Sequence, residues 1–472
     1  MAAPIPFDLA GEAKRLIRFN TVTWESNGEC AVYVGFLFRK LGLEVSYQES
    51  RMGETLFMNV IGWIGKGKDP LLLTTHLDTV APGDPRLWTK TGGDPWRLTV
   101  RGDRWTGLGV ADTKLDLLCK LLAVSRLKRS EMKRPVLLVG TFGEESGLRG
   151  AARFCQGDFP RPKMALVGEP SELALVTRHK GLAVVEITFR SRGLFRPNSE
   201  QWVYEVLFQG QASHSSTPQL GSNAVLHSVR FLQELQKKFG KVTVLSWVGG
   251  EGQNMIPASA RLRFCLPDRA RVAFRSGPQQ KVRVERIPAG WYGTLPWEEA
   301  LWSLQTIEPL VAPMQKVRDR AFDPPHLTWN VTQLKEEKEG WSLTFDLRPL
   351  PGQSIQKAVK GLEAKLWKRL GHPGPTWQFR LERDNPALET DGKEPLIRQA
   401  RAALRAARIP VRLAAKAGCS EAGLYSRVGI PSVVIGPGRS VGNIHRPNES
   451  VSAKQLKAAV RFYQEFMERT CF

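Results

Sequence analysis

A chain of 472 residues is long enough for two domains, or for one large domain carrying an insertion. It is 42% hydrophobic and 24% charged, the balance of an ordinary globular protein, and it holds no run of about eighteen apolar residues that would cross a bilayer. The net charge of +22 raises nucleic acid as a partner, but the basic stretches Arg230 to Arg286 and Lys357 to Lys416 are diffuse and lack interleaved aromatics, so they read as a solvated basic surface with no nucleic-acid or membrane partner.

The opening segment, MAAPIPFDLAGEAKRLI, has no basic region followed by an apolar core and does not read as a secretory signal. Helical periodicity runs over Leu9 to Phe19 and Ala31 to Lys40. Strands and helices then alternate. Strands are predicted at Leu71 to Thr75, Val136 to Phe142 and Met164 to Val167, with helices through Lys114 to Arg129 and Leu148 to Cys155 between them. This pattern predicts an α/β layer on a mixed or parallel sheet. From about Gly181 the rhythm changes. Strands at Leu182 to Phe189, Trp202 to Phe208, Val242 to Val248, Arg261 to Cys265, Leu343 to Leu347 and Trp377 to Leu381 share the segment with helices at Ser222 to Phe239 and Ile355 to Leu370. That is the make-up of an α+β sandwich. The stretch 267–325, rich in Pro, Arg and Gly, reads as an extra element or long loop of it. Alternation resumes at Pro395 to Ala407, Ser432 to Ile435 and Lys454 to Glu468. A first domain, 1–180 with 387–472, is therefore expected to carry 181–386 as an insertion. The six cysteines, Cys30, Cys119, Cys155, Cys265, Cys419 and Cys471, form no CxxC pair and fit reduced thiols in a cytoplasm.

The chemistry collects where apolar strands stop. In 71-LLLTTHLDTV-80, His76 and Asp78 are two residues apart and share one face of extended chain. Asp112 lies in 107-GLGVADTK-114, where glycines turn the chain into a helix; alone it reads as a helix cap. Glu144 and Glu145 follow 136-VLLVGTF-142, Glu169 ends the strand in 165-ALVGEP-170, and His445 follows the last strand through 435-IGPGRSVGNIH-445. In an α/β sheet these strand ends are where ligands are bound. Adjacent carboxylates repel, and burying them without a cation is costly. Two imidazoles, several carboxylates and no thiolate suit Zn²⁺, Mn²⁺ or Co²⁺. Two such ions bridged by a carboxylate would acidify a water, and the doublet would supply one ligand and one base, the apparatus of metal-assisted hydrolysis of a carbonyl compound.

The stretches RLWTK, DPWRLTV, GLGVADTK, VGEPSELALVTRHKG, QGQASHSSTP, GSNA, DLRPLPG and VIGPGRSVGNIHRPNE stand in the order found in a known family. The chain resembles the M20 metallopeptidase and deacylase family from about residue 10 to the C-terminus, outside 191–201 and 267–325, and is most similar to its acetylornithine-deacetylase-like members. The resemblance implies a di-metal aminopeptidase-like catalytic domain with an inserted ferredoxin-like lid that also dimerises. It makes His76, Asp112 and Glu169 the ligands of one ion and Asp112, Glu145 and His445 those of the other. It gives Asp78 the task of orienting His76, and Glu144 that of general base. In the lid it implies that His214, in 211-QASHSS-216, polarises the scissile carbonyl in the partner subunit's site. Asn254 and Arg348, in 249-GGEGQNMIP-257 and 345-FDLRPLPG-352, would contact substrate. Read without the family, His214 is a surface residue of a Ser-rich turn, and Arg348 serves equally well in a strand-end salt bridge. The sequence departs from the family at Thr113 and Leu115, where Met and Gly are frequent, at Glu421, where aspartate is more general, and in the stretch 267–325 lying between Asn254 and Arg348.

The expectation is a cytoplasmic homodimeric hydrolase with two divalent ions, Zn²⁺ first, cleaving the amide of an N-acyl amino acid such as N-acetylornithine. A dipeptidase or carboxypeptidase, or a desuccinylase, would use the same chemistry. A binding protein that had given up turnover would be expected to have lost ligands or base, and this chain keeps them all.

Overall fold

The structure, a computed structural model, describes residues 7–190, 193–196, 202–252, 254–266, 280–286, 292–294, 296–337, 340–374 and 376–472. Parts of the stretches 1–17, 191–201 and 267–325 discussed above therefore lie outside the described residues. The chain divides into two compact units, Met1–His179 with Asn385–Phe472, and Lys180–Asp384.

The first unit is built on a nine-stranded mixed sheet. Across it run Glu44–Met52, Thr55–Ile64, Val136–Thr141, Leu71–His76, Met164–Gly168, Ser432–Val434, Leu175–His179 and Leu388–Glu389, and Leu413–Lys416 joins alongside Leu175–His179. Four neighbouring strands in the middle are parallel: Val136–Thr141, Leu71–His76, Met164–Gly168 and Ser432–Val434. They are covered on both faces, which is why their sequences are continuous apolar runs and not alternating ones. One face packs on Leu9–Ile17, Gly28–Lys40, Lys114–Val124, Pro395–Ala406 and Ala453–Cys471 through residues such as Leu16, Val34, Leu118, Leu404 and Phe466. The other packs on Arg149–Cys155 and Glu421–Arg427 through Ala151, Phe154, Ala422 and Tyr425. The antiparallel pair Glu44–Met52 and Thr55–Ile64 was not predicted; its turn at Gly53, with φ +58°, is a two-residue hairpin loop of the kind that needs glycine first.

The second unit is an eight-stranded sheet in the order Gln280–Arg286, Trp202–Gln209, Ser259–Cys265, Thr243–Gly249, Thr328–Glu337, Gly340–Arg348, Leu182–Arg190 and Trp377–Asn385. Helices Ala224–Phe239, Trp297–Gln315 and Ile355–Leu370 share its apolar core. It is larger than the expected ferredoxin-like sandwich. Within 267–325 the chain forms the edge strand Gln280–Arg286 and the helix Trp297–Gln315, not a long loop. Pro309 and Pro313 break the pattern a sequence reading looks for. The helix holds because Trp297, Ala300, Leu301, Leu304, Ile307 and Val311 place a buried stripe at helical spacing.

Candidate metal centre

Because the four middle strands run parallel, their carboxyl ends reach one edge together. His76 is the last residue of its strand, Glu144 and Glu145 follow Val136–Thr141 after Phe142 and Gly143, and Glu169 follows Met164–Gly168 directly. Asp112 arrives from the turn ahead of Lys114–Val124; its peptide bond to Thr113 is cis. His445 arrives on the loop after Ser432–Val434, with a positive φ of 57°.

The side chains converge. His76 Nε2 lies 3.2 Å from Asp112 Oδ1 and 3.8 Å from Glu169 Oε1. His445 Nε2 lies 3.1 Å from Asp112 Oδ2 and 2.9 Å from Glu145 Oε1. Asp112 thus offers one oxygen to each imidazole. Among the described residues, His76, Glu144 and Glu169 form one group with ligand atoms within 4.8 Å of one another, and Asp112, Glu145 and His445 form a second. The geometry adds Glu144 to the first group and sets Asp112 between the two.

Asp78 stands beside His76 with both its main chain and its side chain. His76 Nδ1 is 3.0 Å from the Asp78 backbone carbonyl and 3.6 Å from its carboxylate. The carboxylate also accepts the backbone N–H groups of Glu144 (3.0 Å) and Glu145 (3.1 Å). Asp78 therefore bears on the imidazole through its carbonyl and its carboxylate, and the carboxylate also pins the doublet.

The electrostatics call for positive charge. Burial pushes the Glu144 carboxyl well up from its ordinary value, and the charges of Glu169 and Glu145 add to this. Burial likewise raises Glu169 against the pull of Lys416. Burial would raise Asp112 as well, but hydrogen bonds from His445 and His76 outweigh it and hold that carboxylate far below its usual range. Two imidazoles and four carboxylates, nearly all shielded from water and partly repelling one another, are a donor set that divalent ions fit.

Three supporting groups are given no role in the sequence reading. Glu449 accepts the N–H groups of Ala111 (2.8 Å) and Asp112 (3.0 Å), fixing the turn that delivers Asp112. Burial, then the Asp112 charge, pushes its carboxyl up to about 7. Lys416 donates to Glu169 Oε2 at 3.2 Å. Burial would lower its amine, but Glu169 and then Asp112 outweigh that and raise it. Glu421, noted in the sequence only as a departure, accepts from Thr141 (2.6 Å) and Thr74 (3.1 Å) on the strands carrying the doublet and His76.

The remaining expected residues lie in the second unit and meet one another. His214 pairs with Met255 in a bridge, and its Nδ1 lies 2.7 Å from Ser216 Oγ and 3.1 Å from the Ser216 backbone nitrogen. The backbone carbonyl of Asn254 accepts the Ser215 N–H at 2.9 Å. Arg348 donates to Ser215 Oγ at 3.0 Å and to Asp346 Oδ2 at 2.9 Å, and Ser215 Oγ donates to Asp346 at 2.7 Å. Arg348 thus makes a buried ion pair with Asp346 at the end of its strand.

Comparison with known proteins bears on the whole assembly. The sequence model of peptidase family M20/M25/M40 matches residues 72–469. Acetylornithine deacetylase of Photorhabdus laumondii subsp. laumondii is 32% identical over 202 residues, 43% of this chain and 46% of that protein. The enzyme of the same name from Buchnera aphidicola subsp. Acyrthosiphon pisum is 30% identical over 200 residues, 42% and 46% of the two chains. This chain thus spans about half the length of the curated relatives it matches. Among solved structures, the aminoacylhistidine dipeptidase of Vibrio alginolyticus aligns with a TM-score of 0.63 at 16% identity, over 98% of this chain and 96% of that one. A metallo-carboxypeptidase of Sulfolobus solfataricus aligns with a TM-score of 0.61 at 17% identity, over 98% and 99%. These two likenesses show the fold.

Proposed function

We propose, from the premise that this chain belongs to peptidase family M20/M25/M40, that it hydrolyses the amide bond of an N-acyl amino acid of the acetylornithine type. The observation that carries this reading is Asp112, whose two carboxylate oxygens face His76 and His445 between two groups of ligand atoms. Two divalent ions bound there, Zn²⁺ before Co²⁺ or Mn²⁺, would supply the Lewis acidity that polarises a carbonyl and acidifies water. The chain's own residues do the rest. His76, Asp112 and Glu169 would hold one ion, and Asp112, Glu145 and His445 the other. Glu144, pinned through its backbone by Asp78, takes a proton from water and returns it to the leaving amine. His214 would stabilise the oxyanion, and Asn254 and Arg348 would shape the substrate pocket of a lid spanning 181–386.

Supporting the acyl-amino-acid substrate is the name shared by the curated relatives; supporting a dipeptidase or carboxypeptidase instead is the fold likeness over nearly the whole chain. The proposal also has the second unit pairing two copies, with His214 acting across that pair, and places the protein in the cytoplasm, where its six free cysteines would stay reduced. The test is a screen of metal-loaded protein against N-acetyl, N-succinyl and dipeptide substrates, reading released amine, alongside Glu144→Gln. Release from N-acetyl amino acids, and a loss of at least about a thousandfold in Glu144→Gln with its metal content retained, is the expected result. Turnover of dipeptides alone would move the assignment to the peptidase reading, and an active Glu144→Gln would remove the assigned base.

A further inference from the structure

Lys416 closes the strand Leu413–Lys416, and its ammonium lies 3.2 Å from Glu169 Oε2. Its side chain is only 18% exposed. The other oxygen of the same carboxylate, Oε1, is 3.8 Å from His76 Nε2. Glu169 is therefore shared between a fixed cation and the first ligand group. With neutral imidazoles and Asp112 shared by both ions, Asp112, Glu169 and Lys416 sum to a formal charge of −1 beside His76, against −2 for Asp112 and Glu145 beside His445. The two halves of the centre differ in electrostatic strength because of one lysine.

We propose that Lys416 is a positioning residue that makes the two ion sites unequal, holding Glu169 by one oxygen and standing as a like charge beside the His76 group, so that an ion there is the more weakly held of the pair. The inference rests on reading the two groups as ion sites. Even at the dielectric constant of bulk water, a unit positive charge about 4 Å from a divalent ion weakens its binding by about thirtyfold, and by more where water is excluded. A centre built this way keeps one ion and exchanges the other with its surroundings. A merely structural ion pair would bring no such asymmetry.

The experiment uses the full chain stripped by chelation and dialysed, titrated with Zn²⁺ by calorimetry and with Co²⁺ by visible absorption. Wild type is expected to take up two ions in two separable steps. Lys416→Met should tighten the weaker step by at least about tenfold and leave the stronger within about twofold. It should also alter the Co²⁺ bands of the later-filling site, because Glu169 Oε2 is released. Lys416→Arg, which keeps the charge, should retain two separate steps. A weaker step that stays unchanged or loosens in Lys416→Met overturns the proposal while leaving the hydrolase reading intact. Wild type that takes up fewer than two ions overturns the ion-pair reading, and this inference with it.

Discussion

Asp112 faces one imidazole with each carboxylate oxygen, and its own backbone N–H is held by Glu449. Such a residue cannot be exchanged for a neutral one without releasing both histidines. Around it the chain buries acids whose charges the protein part answers only in part. Glu421 is the most measurable of these. Burial pushes its carboxyl up from 4.5 to about 7, against the pull of the Thr141 and Thr74 hydroxyls. Between those two values the folded chain holds a proton that the unfolded chain has lost. Stability then falls as pH rises through this window and levels off above it. The shift corresponds to about 3 kcal/mol for a fully enclosed group. Glu421→Gln, neutral at every pH, is expected to lose that decline. Urea unfolding in chelator at about pH 5 and about pH 8 should give a pH difference smaller by about 3 kcal/mol in the variant. Identical pH differences in the two proteins would show that Glu421 is ionised in the folded state.

At the scale of elements, the centre depends on how closely three parallel strands and one helix approach. Gly168, the residue before Glu169, leaves no room for a side chain: an added Cβ would stand 1.9 Å from Asp116 Oδ2 and 2.6 Å from Lys120 Nζ. Those two residues form a fully buried pair at 2.6 Å that also engages Thr75, next to His76, and Tyr463. Gly168→Ala must displace either the strand end or the ion pair. We expect it to cost about 3 kcal/mol in urea unfolding and to weaken metal uptake, since Glu169 moves with its strand. Gly392→Ala, with nothing near its added carbon, should stay within about 0.5 kcal/mol of wild type. Equal stability of the two variants would mean that the strand ends tolerate more movement than this packing allows. The helix Trp297–Gln315 makes the complementary point: its internal prolines cost local hydrogen bonds, and burial of one apolar stripe outweighs them.

For the molecule as a whole, the first unit gathers its chemistry on the edge where carboxylates crowd, so ions that bind only the folded state should stabilise it. Chelation is expected to lower the melting temperature by about 5 °C, with re-addition of Zn²⁺ or Co²⁺ restoring it, as differential scanning calorimetry would read. A melting curve indifferent to chelator would speak against resident ions. The sequence alone determined the alternation of elements and the class of the centre. Its ligands follow apolar runs or glycine turns, local patterns that a linear reading can see, and HLD, ADT, EE, GEP and NIH all met where such strand ends must meet. Only the tertiary structure decided which charges support them. Lys416, Glu449 and Glu421 are single polar residues at a strand end, in a loop and at a helix start, with no periodicity to mark them. The carboxylate of Asp78 holds the backbone of the doublet as well as standing beside His76. The reason is physical: hydrophobic patterning is written in short range along the chain, whereas a buried charge takes its partner from whatever segment folding brings within about 3 Å of it.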